Sequence, residues 1–405
     1  MTGLSLRTLT SALAFGAILF VTVSSAFAGS ETVVYNFSAT GSGAYAELVY
    51  NGGRFYGTAY QGGSSKCAPA CGSVFELAPL AGGGWSYSTL FSFVGGSTGE
   101  HPYGKVVFDA AGNLYGAAAT STQGKQGVVY ELTPTASGPW TETIVQSLSA
   151  AVVGPTIDAN GNLYVVAPDG GALGRGGVSE LTMNSDGTWS QTLLYSFTGK
   201  PDGQTPYGSL TFDTAGNLYG TTEIGGAHNR GSVYQLSHSP LGWSEKVMYS
   251  FDGTRGSTPE GPVNLDPDGN LYGPAFYGVA YGGGTYNEGT VFKLTASGSG
   301  TWGIQVLHSF NFQGGDGYFP NQYLTPGGDG VFYGTTLDGG TFNRGTVYKV
   351  ESGSNGQWTE SIIYNFGPNG QTPQSGVTLG PGNALFGATG YGGTSKTGVI
   401  YQVTP

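Results

Sequence analysis

The chain has 405 residues, 75 of them glycine, and a formal net charge of −11 from 14 basic and 25 acidic side chains. An acidic balance of this kind repels phosphate backbones and excludes nucleic acid as a partner. So much glycine would signal disorder in a chain poor in aromatics, but 26 Tyr, 21 Phe and 6 Trp are spaced regularly here, so the glycines read as turns between strands.

Residues 1–28 read as a signal peptide. Arg7 supplies the positive start, an apolar run extends from about Ala12 to Val23, and Ser25-Ala26-Phe27-Ala28 gives a small-x-small cleavage site. The run is short for a membrane anchor. The expected mature chain is therefore one domain, 29–405, without a membrane span, secreted or held in the periplasm or at the cell surface. Cys67 and Cys71 come next, in KCAPACG. In an oxidising compartment they are expected to form a local disulfide pinning one loop. No further metal ligands lie near them, and no metal or cofactor is expected.

From there the chain repeats. Every tryptophan stands eight residues before an apolar anchor: Trp85 and Phe93, Trp140 and Leu148, Trp189 and Phe197, Trp243 and Phe251, Trp302 and Phe310, Trp358 and Phe366. Successive anchors lie 49 to 59 residues apart, a period that fits propeller blades rather than helical solenoids. Each period holds four strand-like runs, called A to D; in the fourth they are SLTFD (209–213), NLYGTT (217–222), GSVYQL (231–236) and EKVMYSF (245–251). The A–B link DTAGN is a hairpin, because Asp accepts from nearby amides and Gly and Asn tolerate positive φ.

Six full units run from about Ala46 to Phe366. A seventh has A (376–380), B (384–389) and C (398–403), and then the chain stops. Its D strand is found at the other end, where ETVVYNF (31–37) matches ESIIYNF (360–366). The reading is an all-β, seven-bladed β-propeller of four-stranded antiparallel blades, with the N-terminal strand completing the last blade and closing the ring. Closure removes open sheet edges.

The W…LYSF, D..GNLYGTT and GG..NRGTVY pieces resemble the GloVer tandem-repeat family of exported bacterial proteins, whose repeats are shared while the C-terminal anchor varies. The resemblance spans about residues 31–405 and implies a propeller-like fold and export. It implies no particular activity. The A–B piece alone is similar to the hairpins of NHL and gluconolactonase-type propellers.

Strand alternation places the A–B and C–D turns on one face and the B–C and D–A loops on the other, the face propellers commonly use for ligands. The B–C loops offer His228, Asn229 and Arg230 in unit 4, Asn343 and Arg344 in unit 6, Arg175 in unit 3, and Asn287 and Glu288 in unit 5. The D–A loops carry G-x-x-P, followed by Tyr103 and Tyr207. Amide, basic and aromatic groups of this kind suit a sugar or a peptide. The competing reading is that an element repeated in nearly every unit exists to build units, with Arg bonding to neighbouring carbonyls. Symmetry breaks at the unit 5 segment 274–289, at the Cys67–Cys71 loop and at STQGKQG in unit 2. DPDGN (266–270) lacks the length and the downstream Glu of a calcium loop.

No catalytic set stands out. The expected function is therefore a monomeric binding or interaction module for an extracellular glycan or peptide. The alternatives are a carbohydrate-active enzyme (a polysaccharide lyase or hydrolase) and a structural envelope protein.

Overall fold

The computed structural model describes residues 29–38, 41–64, 66–67, 70–120, 126–266, 271–275, 283–297 and 300–405. The signal-peptide reading lies outside the described residues. So do 121–125 of the unit 2 loop, 267–270 of DPDGN and 276–282 of the long unit 5 loop.

Unit 4 shows how sequence becomes blade. Gly203–Phe212, Leu218–Gly225, Ser232–Ser239 and Gly242–Ser250 pair in chain order as one antiparallel sheet. The hairpin between the first two is built by Asp213, whose Oδ1 accepts from the Ala215 and Asn217 amides, both at 2.9 Å. Its Oδ2 accepts from Asn217 Nδ2 at 2.7 Å and from the Tyr219 hydroxyl at 3.0 Å. Gly216 takes the φ of +81° that the turn requires. Asp109 and Asp158 make the same bonds in units 2 and 3, so D..GNLY is a hairpin device.

Sheets of the same order fall on the other units. The strand Ser30–Asn36 pairs antiparallel with Val399–Thr404, the C strand of the last unit, from Ser30 opposite Thr404 to Asn36 opposite Val399. Regular helix among the described residues is limited to three short 3-10 turns. The chain is an all-β propeller of antiparallel four-stranded blades.

The anchors hold neighbouring blades together. Phe93, Phe197, Phe251, Phe310 and Phe366 are fully buried. Each meets the C-strand aromatic of the next unit edge to face: Tyr130, Tyr234, Phe292, Tyr348 and Tyr401, with ring centroids 4.9 to 5.2 Å apart. Phe37, from the N-terminal strand, meets Phe75 of unit 1 at 6.0 Å and so continues the series from the last unit to the first. Burying one such ring stabilises by roughly 2–3 kcal/mol, with a further ~1 from the edge contact. The glycine on the B strand, last of GNLYG in units 2 and 4 and of GVFYG and GNALFG in units 6 and 7, makes this possible: a Cβ on Gly116, Gly220, Gly334 or Gly387 would collide with the hydroxyl of Tyr130, Tyr234, Tyr348 or Tyr401.

A second tie runs around the channel on the innermost strands. Thr156 donates to the Leu210 carbonyl at 3.0 Å. In the same way Thr211 donates to Val263, Asn264 to Leu324, Thr325 to Val377 and Thr378 to Leu48. The last of these again joins the end of the chain to its beginning.

Candidate functional site

The two front-face motifs are halves of one joint. In each G-x-x-P loop the residue before proline is left-handed: His101 (φ 53°), Thr205 (54°), Thr258 (55°), Phe319 (57°) and Thr372 (51°). Their amides donate to the carbonyls of Cys71, Arg175, Arg230, Glu288 and Arg344, residues that each directly precede a B–C loop glycine. That glycine makes room for the proline. A Cβ on Gly231 would stand 2.5 Å from Pro259 Cδ, and one on Gly345 the same distance from Pro373 Cδ. Cys71 forms the disulfide with Cys67, so in unit 1 a covalent staple sits where units 3, 4 and 6 carry Arg.

The joint places most of the predicted side chains. Arg175 bonds the Thr198 carbonyl of its own D–A loop, and the Arg230 guanidinium lies over Gly253 in the equivalent place. Asn229, Asn287 and Asn343 are left-handed turn residues, with φ of 57°, 69° and 51°. Asn343 Oδ1 accepts from the Tyr318 hydroxyl at 3.0 Å and from the Gly339 amide at 3.2 Å. His228 is exposed at the tip of the unit 4 loop, while Glu288 and Arg344 are half-buried in the loops of units 5 and 6. Neither the polar B–C set nor the arginines line the cavity described next.

Tyr103 and Tyr207 do come together, their rings edge to face at 6.2 Å. They form part of the wall of a cavity of about 530 Å³ at the front mouth of the channel, with Tyr45, Tyr60, His101 and Asp169. Apolar wall comes from Ala151, Val152, Val153 and Pro168. The His101 ring stacks on Tyr60 at 4.6 Å, and its Nδ1 lies 2.9 Å from the Tyr60 carbonyl. A carbonyl there selects the tautomer with the proton on Nδ1 and leaves Nε2 as an acceptor. Burial raises the pKa of Tyr45, Tyr60 and Tyr207, and neighbouring phenols add to the shift in each. These hydroxyls are protonated donors at neutral pH.

Charged groups stand next to this cavity in the channel. Gln322 Nε2 stands 3.4 Å from both the Tyr103 hydroxyl and Glu260 Oε2, spanning units 6, 2 and 5. Burial, followed by the nearby Glu223, pushes Glu260 up to about 7. Glu47 faces Lys105 at 3.9 Å and Thr325 at 3.4 Å. None of the described residues lining the cavity is Lys or Arg.

The model of the Gloeobacter/Verrucomicrobia repeat matches this chain twice, over residues 143–275 and 274–405. The chain belongs to this repeat family. No curated protein matches its sequence. Among solved structures, an ulvan lyase of a polysaccharide lyase family, bound to -[GlcA(1-4)Rha3S]-, is similar at a TM-score of 0.53 and 11% identity, covering 91% of this chain and 94% of that one. Trypanosoma rangeli sialidase in complex with sialic acid gives a TM-score of 0.46 and 12% identity, over 93% of this chain and 58% of that one. A gluconolactonase-type protein gives 0.39 and 15%, over 82% and 91%. At such identities the likeness concerns the fold alone.

Within this Gloeobacter/Verrucomicrobia repeat chain, sequence reasoning missed Tyr45, Tyr60, Asp169 and Glu260 as front-face residues of the channel. A signal for two of them was present. Tyr45, Tyr103, Tyr207 and Glu260 each stand three residues before the inward apolar residue of an A strand (Leu48, Val106, Leu210 and Val263). Tyr45 was hidden because unit 1 lacks the G-x-x-P flank. Tyr60 and Asp169 stand just before the repeated Gly-Gly of their B–C loops, at positions whose residue type varies between units.

Proposed function

We propose that this protein is an exported propeller that binds a neutral carbohydrate in the tyrosine-lined cavity at the front mouth of its channel. The observation that carries the reading is the convergence of Tyr45, Tyr60, Tyr103 and Tyr207 on one cavity of about 530 Å³. That volume lies within the range of small-molecule sites. Planar rings suit the C–H faces of sugars, and protonated phenols with Asp169 suit their hydroxyls. The absence of Lys and Arg among the described lining residues favours a neutral glycan over a uronate or sulfated chain. Export is supported by the Cys67–Cys71 disulfide and by the leader-like residues 1–28. The domain is read as one monomeric ring of seven blades, supported by the unit-to-unit series of anchors and inner-strand bonds.

The test is a glycan array followed by calorimetry on the hits. Tyr103→Ala and Tyr207→Ala are expected to weaken binding by about tenfold each, close to 1.4 kcal/mol, while leaving the melting temperature near that of the wild type. Binding untouched by both substitutions, or none to any neutral oligosaccharide, overturns the reading.

A second reading is elimination on a polysaccharide, and it rests on His101. With its Nδ1 held by the Tyr60 carbonyl, Nε2 is free to act as a base beside phenols able to act as acids. The structural likeness to an ulvan lyase accords with it. The lack of a cation among the described lining residues argues against it, since a uronate needs its carboxylate neutralised before its C5 proton becomes acidic. Growth of ultraviolet absorbance on incubation with uronic acid polymers, abolished by His101→Ala, would favour the lyase.

A further inference from the structure

The D strands Trp302–Ser309 of unit 5 and Trp358–Asn365 of unit 6 are neighbours across a blade interface. Beside them opens a cavity of about 830 Å³, lined by Tyr286, His308, Asn311, Asp316 and Glu360 among others. His308 Nε2 lies 2.7 Å from Asp316 Oδ2. One donor atom from each of His308, Asp316 and Glu360 falls within 4.8 Å of the others. The three come from separate elements, so the blade interface itself assembles them.

The cluster is held in place. Asp316 Oδ1 accepts from the Gly317 amide at 2.6 Å, which fixes the carboxylate plane. The His308 and Asp316 side chains are only 22% and 12% exposed. Glu360 Oε1 is buried and finds no hydrogen-bond partner among the described residues, and neither does the hydroxyl of the fully buried Tyr348. Tyr348 is close enough to Glu360 and Asp316 for both carboxylates to raise its pKa, after burial. Two carboxylates therefore meet at a half-buried interface, and one oxygen of the Glu360 carboxylate has no hydrogen-bond partner among the described residues, an arrangement that a cation would stabilise.

The interface between units 3 and 4 supplies an internal control. There the Tyr195 hydroxyl donates to Asp202 Oδ2 at 3.0 Å, and Glu245, near Asp202, has its own unpartnered buried oxygen. The Asp and Glu are common scaffold, and what unit 5 adds is an imidazole in place of a phenol. A neutral imidazole is a strong ligand for borderline divalent metals, whereas a protonated phenol is a poor one.

We propose that His308, Asp316 and Glu360 form a three-ligand site for a divalent transition-metal cation, zinc fitting best, on the front side of the unit 5–unit 6 interface. One nitrogen and two oxygen donors suit zinc at four-coordination, with the remaining position open to water or a ligand group from the cavity. Copper(I) would want sulfur, and calcium would want six or more oxygens. The cation would cross-link two blades, so binding would stabilise the fold.

The test uses the full mature chain, stripped with EDTA and titrated with zinc chloride by calorimetry and in thermal melts. One zinc per chain is expected at roughly micromolar Kd or better, with Tm rising by about 3 °C or more in excess zinc. His308→Tyr copies the residue that unit 3 carries. It is expected to fold, to melt in EDTA within about 2 °C of wild type, and to bind zinc at least ~30-fold more weakly. Should that variant fail to fold, Glu360→Gln keeps side-chain size, removes a ligand charge and is expected to weaken zinc similarly. Cobalt(II) added instead of zinc is expected to give visible absorption bands that either substitution abolishes. Affinity no better than about millimolar, or zinc binding unchanged in a folded variant, overturns the site.

Discussion

Two adjacent positions in the D–A loops behave in opposite ways. The left-handed residue and the proline after it repeat in five loops and perform one task, closing onto the B–C loop of the unit before. The next residue changes from loop to loop: Tyr103, Tyr207, Glu260, Asn321 and Gln374. The two tyrosines line the front cavity, whereas Asn321 is buried and donates to the Thr335 hydroxyl and the Pro373 carbonyl. Tyr45 and Val152 hold the corresponding places in units 1 and 3. Repetition here marks what a blade needs in order to dock, and divergence one residue later lets single loops, those of Tyr103 and Tyr207, present a side chain to the cavity. On that rule His228, Asn229 and Arg230 belong to the docking side of the comparison, and Tyr103 and Tyr207 to the other.

The comparison breaks most readily at Gly231. Its φ is +90°, and a Cβ there would stand 2.5 Å from both Pro259 Cδ and the Thr222 carbonyl oxygen. Gly231→Ala combines an unfavourable backbone region with a clash against backbone, so it is expected to cost about 3 kcal/mol or more. Urea unfolding measures this, with Tyr207→Ala as the partner experiment, expected to cost less than half as much while weakening ligand binding. Equal stability losses for the two would erase the distinction between docking loop and site.

Much of the fold was legible because burial leaves a period. Trp at the start of each D strand and an anchor eight residues on report a strand crossing from the blade edge to the interface, and ETVVYNF declared itself as the missing strand by matching ESIIYNF. The joint was visible only as two separate motifs. Nothing in GG..NRG or G-x-x-P says that the glycine of one receives the proline of the other, since their partnership depends on two loops about 28 residues apart meeting in space. Polar letters in a loop then look like ligand groups, although Arg175 is spent on a carbonyl and Asn343 on its own turn. The cavity was harder still, because the wall is assembled from the loops of units 1 to 4, and Tyr45 lacks the repeated G-x-x-P flank. His308 reads in sequence as one more strand aromatic in the place of Tyr195 and Tyr249; only the blade interface brings Glu360 to it.

The same contrast between repeated and divergent positions is sharpened inside the blades. Gly220 stands opposite Tyr234, where a Cβ would meet the phenol. In unit 3 the corresponding pair is Val165 opposite Ser179, so one side chain has grown where the other has shrunk. Gly220→Val alone and Tyr234→Ser alone are each expected to destabilise by about 2–3 kcal/mol, through overpacking and through a cavity respectively. Combined, they are expected to cost roughly 2 kcal/mol less than the sum of the two. A double-mutant cycle by chemical denaturation measures the coupling, and strict additivity would mean that the unit 3 pair is not a volume exchange.

The smallest effect concerns Glu245, whose carboxyl is pushed up to about 8 by burial and then by Asp202. Its folded pKa lies above the ordinary carboxylate value of 4.5, so the native state holds this proton more tightly than the unfolded chain does. The resulting stability is fully present below that ordinary value and is lost as pH rises through the folded pKa. Full linkage would be about 1.4 kcal/mol per pH unit, and partial access to water reduces it to roughly half. Between pH 6 and pH 9 the wild-type Tm is therefore expected to fall. Glu245→Gln keeps the shape and removes the ionisation, so its Tm is expected to fall less and to exceed that of the wild type at pH 9. A wild-type Tm that rises over this interval, or a variant that tracks it in parallel, would place Glu245 in a wetter setting than the blade interface provides. Because the same carboxylate recurs beside an imidazole at Glu360, the measurement also shows what this scaffold position costs where no metal ligand has been added to it.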